Sequence, residues 1–321
     1  MGWTIRRQDF FFTFPISPSF TSHLIRYNHL ISIYSSQTFN MLAKVYLISA
    51  LCATAFSAPT LSYSPGAAAV TPDMKVLSDY FRLISSKIQA GRNMAAAPVC
   101  NLARAQLPAS GMFLPSPIIL SLFNTKRKLT KLSSIALPSP ASGLTVYHVA
   151  IGRGTQNYTC SSNATAAPTA LGAVATLYNA SCIASTYPDL LLAIPNLALQ
   201  FPTPPSTSAL SPSNLMVSGH HFFSNGTTPV FDLNTPGGQF GSIACAKNSS
   251  TPAPVGASAG IGGKGFGAVP WLRLLTRDVQ GNLQEVYRVN TAGGSAPPTC
   301  EGIINTTFEV QYAAEYWFFK K

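Results

Sequence analysis

From residue 144 to the C-terminus, apolar residues fall in short runs separated by turn-forming ones. Leu144 to Ile151 is apolar on both faces, the pattern of a buried strand. Ala173 to Tyr178, Gly219 to Phe223, Pro229 to Leu233 and Phe240 to Ala246 are shorter strand candidates. Trp271 to Thr276 and Glu285 to Thr291 flank a loop containing Gly281 and predict a hairpin. The last segment is the clearest. Phe308, Val310, Tyr312, Ala314, Tyr316 and Phe318 alternate with Glu309, Gln311, Ala313, Glu315 and Trp317, so one face is expected to be buried. Such a strand must be paired inside a sheet, because an open apolar edge invites aggregation. Before these strands, Val76, Leu77, Tyr80, Phe81, Ile84 and Ile88 recur at helical spacing. Thr71-Pro72-Asp73 supplies an opening cap and Gly91 a stop. The pattern predicts an all-β sandwich or barrel with a short helical N-terminal appendage. Residues 201–214 and 249–263 read as loops rich in Pro, Ser, Thr, Gly and Ala.

The N-terminal third is heterogeneous. Met41 to Lys44 is a short positive region, Val45 to Leu51 an apolar core, and Ala53-Thr54-Ala55 a small-residue cleavage motif. Residues 41–58 therefore read as a secretory signal peptide, too short to span a membrane. Residues 1–40, which precede it, read as an upstream extension arising from a mispredicted start codon. Residues 59–110 form the helical N-terminal segment, and 137–321 the β-rich domain. Residues 111–136 are foreign in character: an apolar run followed by Lys126-Arg127-Lys128. They read as a retained intron or disordered insertion. Gly111-Met112-Phe113 can be encoded with a GTATGT donor, Leu129-Thr130 with a CTAAC branch point, and Ile135-Ala136 with an acceptor. Genomic codons that cannot spell these signals would exclude the intron.

Composition narrows the partners. The net charge of +11 suggests nucleic acid or a membrane surface. However, the residues through Ala58 and those around Lys126–Lys131 supply most of the excess, so neither a nucleic-acid partner nor stable membrane insertion is expected. Only 10 % of residues are charged, and 23 glycines and 25 prolines accompany them, a loop-rich, β-leaning profile. Six Asn-x-Ser/Thr acceptors, at Asn157, Asn163, Asn179, Asn225, Asn248 and Asn305, follow the signal peptide and support secretion. Five cysteines remain after cleavage: Cys100, Cys160, Cys182, Cys245 and Cys300. Outside the cytosol they should form two disulfides and leave one thiol.

The candidate chemistry is sparse. Gly260-Ile-Gly-Gly-Lys-Gly265 matches a dinucleotide fingerprint but lacks the strand before it and the helix after it. Gly256-Ala-Ser258-Ala-Gly260 matches a nucleophile elbow, again without the α/β sheet that strains it. Asp189, Asp232, Asp278, Glu285, Glu301, Glu309 and Glu315 are the acids available for a hydrolase, and the sequence assembles no pair of them. His148 with His220 or His221 and Asp232 could form a histidine-carboxylate metal site. His220 and His221 point to opposite faces of a strand, so one at most joins His148. Trp271, Trp317, Tyr287 and Tyr316 are candidates for an aromatic platform under sugar rings. Arg273 and Arg288 would face each other across the hairpin, paired to Glu285 or to solvent. No cofactor is expected.

Five stretches carry a family resemblance: Gly143 to Cys160, Gly172 to Cys182, Gly219 to Phe223 with Pro229 to Leu233, Gly265 to Leu274, and Val286 to Cys300 with the terminal strand. Together they resemble a family of secreted fungal proteins known as a domain of unknown function, number 3455. The resemblance implies secretion and a β-rich fold, and no established activity. Some members carry a malate dehydrogenase label, which the residues do not support. Because Cys160 and Cys300 lie in the strongest blocks, the resemblance favours their pairing, with Cys182 joined to Cys245 or Cys100. The expected protein is a secreted, glycosylated, non-catalytic domain that binds cell-wall polysaccharide. The alternative is a secreted hydrolase or histidine-dependent metalloenzyme.

Overall fold

In the computed structural model, residues 72–92, 94, 98–108, 136–278 and 280–321 are described, all within the unit Ala68–Lys321. The extension 1–40, the signal peptide 41–58 and nearly all of the 111–136 insertion lie outside the described residues. Eight strands form a closed antiparallel barrel in chain order: β1 (Thr145–Thr159), β2 (Thr169–Asn179), β3 (Val217–Ser224), β4 (Thr228–Thr235), β5 (Gly238–Thr251), β6 (Trp271–Thr276), β7 (Leu283–Gly293) and β8 (Thr307–Lys320). The terminal strand β8 pairs with both β1 and β7, which removes the edge that its apolar sequence would otherwise expose.

Helix α1 (Met74–Arg92) precedes the barrel, and α2 (Ser181–Thr186) and α3 (Pro188–Leu199) lie in the β2–β3 connection. The last two correct the expectation of a single helix. Helix α3 carries Pro188 in its first turn, beside Asp189, and Pro195 in its interior. Its residues are apolar nearly all round, because both of its broad faces are covered.

Two apolar cores result. The inner one fills the barrel with Leu177, Phe231, Leu233, Val286, Tyr316 and Phe318. The outer one lies between the barrel wall and the helices, where Leu191, Ile194 and Leu197 of α3 meet Ile151, Val289 and Trp317. Each such aliphatic side chain contributes about 1.5–3 kcal/mol on burial. The alternation along β8 is therefore real, but both of its faces are buried toward the C-terminus, since the outer face lies under α3 and the segment before β1. Tyr80, Val76, Leu77 and Ile84 of α1 join the outer core, whereas Phe81 and Ile88 stay exposed.

Candidate functional site

The aromatic platform is not on the surface. Trp271 is 3 % exposed, Trp317 1 %, Tyr316 1 % and Tyr287 0 %. Tyr316 points into the barrel, while the other three pack in the outer core. Trp317 lies on the side of β8 that reads as solvent-facing in the sequence, and the helices of the β2–β3 connection cover it. These four side chains present no ring to a sugar.

The histidine-carboxylate group also separates. The β3–β4 register pairs His220 with Asp232 and His221 with Phe231, on opposite faces of the sheet. His148 and His221 are buried on the inner face. The His148 ring stacks on Phe240, with Nε2 3.0 Å from Ser218 Oγ and Nδ1 3.3 Å from Ser181 Oγ. His221 stacks on Phe231, and its Nδ1 lies 2.9 Å from the Val230 carbonyl oxygen, to which it donates. Burial lowers both rings to about 4, and for His221 the Arg288 charge adds to this against the Val230 bond. Both are thus neutral core histidines at neutral pH. Among the described residues, no group of three or more His, Cys, Asp or Glu is placed to hold a metal.

Gly260–Gly265 lies in the β5–β6 connection with a single 3₁₀ turn, Ile261–Gly263, and no helix follows it before β6. Ser258 of the elbow-like motif sits in the same connection and donates to the Gly260 carbonyl. Arg273 and Arg288 do not face each other. Arg273 pairs across the hairpin with Tyr287 and Arg288 with Leu272, so they lie on opposite faces. Arg273 makes a two-pronged pair with Glu285, through Nε at 3.0 Å and Nη2 at 2.6 Å. The Glu285 carboxylate also accepts from the Ala141 amide, and the Tyr287 hydroxyl lies against Glu285 and the Pro138 carbonyl. This cluster fastens the segment before β1 to the wall.

Cys160 pairs with Cys300, and Cys100 with Cys182. The first ties the β1–β2 connection to the β7–β8 connection. The second holds residues 98–108 against α2. Among the described cysteines Cys245 is the free thiol, buried, and burial pushes it up to about 12 against the opposing charge of Arg277.

Two buried polar groups have no counterpart in the sequence-based expectations. The first lies outside the barrel wall under α3. There the Glu315 carboxylate accepts from Asn290 Nδ2 at 2.8 Å and Trp317 Nε1 at 2.9 Å. Asn290 adopts φ 46° at a register shift of β7, which also lets it donate to the Leu192 carbonyl. Asn tolerates this left-handed conformation better than a branched residue would. Burial pushes the Glu315 carboxyl up to about 7 despite these two bonds. Asn290 in turn lines a cleft of about 430 Å³ with Tyr80, Asp79, Asn196 and Ser258.

The second group is inside the barrel. Arg288 stands opposite Tyr316 of β8, and the Tyr316 and Tyr312 hydroxyls are 2.8 Å apart. Gln156 of β1 completes the group beside Tyr312. Arg288 lies next to Glu285 and Tyr287 in sequence, and its place within an apolar alternating strand was the available signal for an inward-facing charge.

No curated protein and no solved structure matches the chain. Residues 140–320, more than half of the sequence and the whole of the barrel, match the family model for a protein of unknown function, DUF3455. The chain therefore belongs to the DUF3455 family.

Proposed function

We propose that this protein is a secreted, N-glycosylated, non-catalytic β-barrel module that works outside the cell. The observation that carries the reading is the pair of disulfides, Cys100–Cys182 and Cys160–Cys300. Bridges closing separations of 82 and 140 residues persist in oxidising compartments and are rare in the reducing cytosol. Placement of the acceptor asparagines supports it. Asn163, Asn225, Asn248 and Asn305 are exposed, and Asn157 and Asn179 half-buried. Asn163, Asn225 and Asn305 lie in the three connections β1–β2, β3–β4 and β7–β8, which share one end of the barrel. Asn157 and Asn248 lie within three residues of that same end on β1 and β5. Glycans there would crowd one end, and of the six acceptors only Asn179, half-buried at the end of β2, stands beside the helices of the β2–β3 connection. A polysaccharide partner would have to be met by side chains other than the four buried aromatics.

Expression of the chain from Met41 in a eukaryotic secretory host tests the proposal. The expected product is found in the medium, shifts in mobility on endoglycosidase treatment, and yields Cys100–Cys182 and Cys160–Cys300 peptides under non-reducing digestion. Retention in the cytosol with all six cysteines as free thiols would overturn it.

A further inference from the structure

Two arginines are buried in this barrel, and their surroundings separate a structural role from a binding one. Arg153, on the outer face of β1, is surrounded by acceptors. It donates to the carbonyls of Ala198 at 3.2 Å, Phe201 at 3.1 Å, Gly154 at 3.1 Å and Tyr312 at 3.4 Å, and to Gln311 Oε1. Two of these carbonyls are at the C-terminal end of α3, where a cation is favoured. Its charge is thus met by protein oxygen.

Arg288, on the inner face of β7, is only 8 % exposed and has no such shell. It makes one hydrogen bond to backbone, from Nη2 to the Pro270 carbonyl at 3.0 Å, and its other partner is the Tyr316 phenol. Its Nε is fully enclosed and has no acceptor. It takes part in none of the ion pairs among the described residues. Gln156, 9 % exposed, has an equally enclosed Nε2 without an acceptor. Tyr312 stands beside both, its phenol within reach of the Gln156 amide and in the field of the guanidinium. The Tyr312–Tyr316 pair holds two hydroxyl protons and one mutual bond, so one proton has no acceptor within the pair. Donors therefore exceed acceptors in this group, and one donor carries a full charge. Buried donors normally find partners, and an unpaired buried cation is the costliest exception.

A carboxylate satisfies this group best. Its two oxygens match the planar fork of a guanidinium and leave lone pairs for an amide and a phenol. We propose that the barrel interior binds a small organic carboxylate, gripped by Arg288 and Gln156 and capped by the Tyr312–Tyr316 pair. An eight-stranded barrel has an interior that side chains fill or that holds one small ligand, and here the polar group lies beside the apolar core that fills the rest. The site goes beyond the extracellular role proposed above and stands or falls independently of where the protein resides.

The test is thermal unfolding of the disulfide-intact protein in an anion-poor buffer. Sodium acetate is titrated against sodium chloride and sodium sulfate at matched ionic strength. Acetate is expected to raise Tm along a saturating curve, by about 5–10 °C at a hundredfold excess over its Kd. Chloride and sulfate are expected not to. Arg288→Met should abolish the acetate response and, without acetate, melt no lower than wild type, because it removes an unpaired buried charge. Should Arg288→Met fail to fold, Gln156→Met provides the second variant and should weaken acetate binding at least fivefold. Lys247→Met, an exposed control, should respond as wild type does. Superimposable acetate and chloride curves for wild type, or an undiminished acetate response in both site variants, would overturn the proposal. An equal response to sulfate would overturn the carboxylate assignment.

Discussion

Glu315 makes the stability of this barrel depend on pH in the direction opposite to that of an ordinary surface carboxylate. Its side chain has no solvent exposure, and burial holds its native carboxyl at about 7 against an ordinary value of 4.5. Between these values the unfolded chain has released the proton and the native chain has kept it. The native state then binds more protons, so stability falls as pH rises through the window and levels off above about 7. The full stabilisation is present below pH 4.5. At about 1.4 kcal/mol per pH unit the loss comes to roughly 3 kcal/mol. His148 and His221 act with the opposite sign. Their native rings are lowered to about 4 from 6.5, so they cost stability as pH falls from 6.5 toward 4. From about 6.5 to 7, Glu315 governs the slope among these three.

The perturbation that isolates it is Glu315→Gln. Glutamine offers one acceptor oxygen to the two donors Asn290 and Trp317, so the variant carries a fixed offset of about 1–3 kcal/mol at every pH. The histidine contributions are common to both proteins and cancel in the difference. Urea unfolding of both proteins from pH 5 to pH 8 therefore has a definite outcome. The stability of the variant minus that of wild type should rise by roughly 2–3 kcal/mol across the range. Parallel curves would refute the reasoning, because they would mean that the native carboxyl is already ionised at pH 5.

Three further outcomes follow from the same geometry. Replacing Cys160 and Cys300 together by Ser should cost up to about 5 kcal/mol in denaturant unfolding, and Cys100 with Cys182 slightly less, since the closed loops differ in length. Trp317→Ala should destabilise the protein by about 3–5 kcal/mol, while depletion of the still-folded variant by insoluble chitin or β-glucan should match that of wild type. Cys245 should resist alkylation in the native protein at pH 8 and react only on unfolding, because burial holds its thiol near 12.

The strands were legible because a barrel imposes a two-residue period, which survives in the sequence wherever both faces are occupied by ordinary side chains. Each of the eight strands overlaps one of the eight segments read from the sequence, Leu144 to Ile151 by its apolar run on both faces and the terminal segment by its alternation. The period fails at the glycines. β1 continues eight residues beyond Ile151, but Gly152 and Gly154 interrupt the apolar run. Gly152 is required because a Cβ there would collide with the Tyr316 ring, which crosses the interior from β8. That constraint is tertiary and leaves no local trace. Helix α3 was missed for a related reason. Its stripe is apolar on more than one side and holds Pro195, both of which argue against a surface helix. Pro188 followed by Asp189 was the signal that could have marked its start.

The same helix accounts for the misplaced aromatic platform. Alternation along β8 assigns Trp317 to the face away from the barrel interior, and the structure agrees. Whether that face is wet depends on what the β2–β3 connection does after it leaves the sheet, and periodicity within β8 cannot report on that. Once α3 covers the wall, Trp317 becomes core, Glu315 beside it becomes a buried acid, and Asn290 turns its amide to bond both that acid and the helix backbone. Closure of the sheet changed Arg288 in the same way. In a two-stranded reading of the hairpin, Arg273 and Arg288 are alike, two cations near one glutamate. Closing β8 onto β1 gives the hairpin an inside and an outside. Arg273 is left outside with Glu285, and Arg288 is committed to an interior that offers it one carbonyl and two phenols. The chemistry of this chain lies in charges that the topology buried, so it could be read only after the barrel was closed.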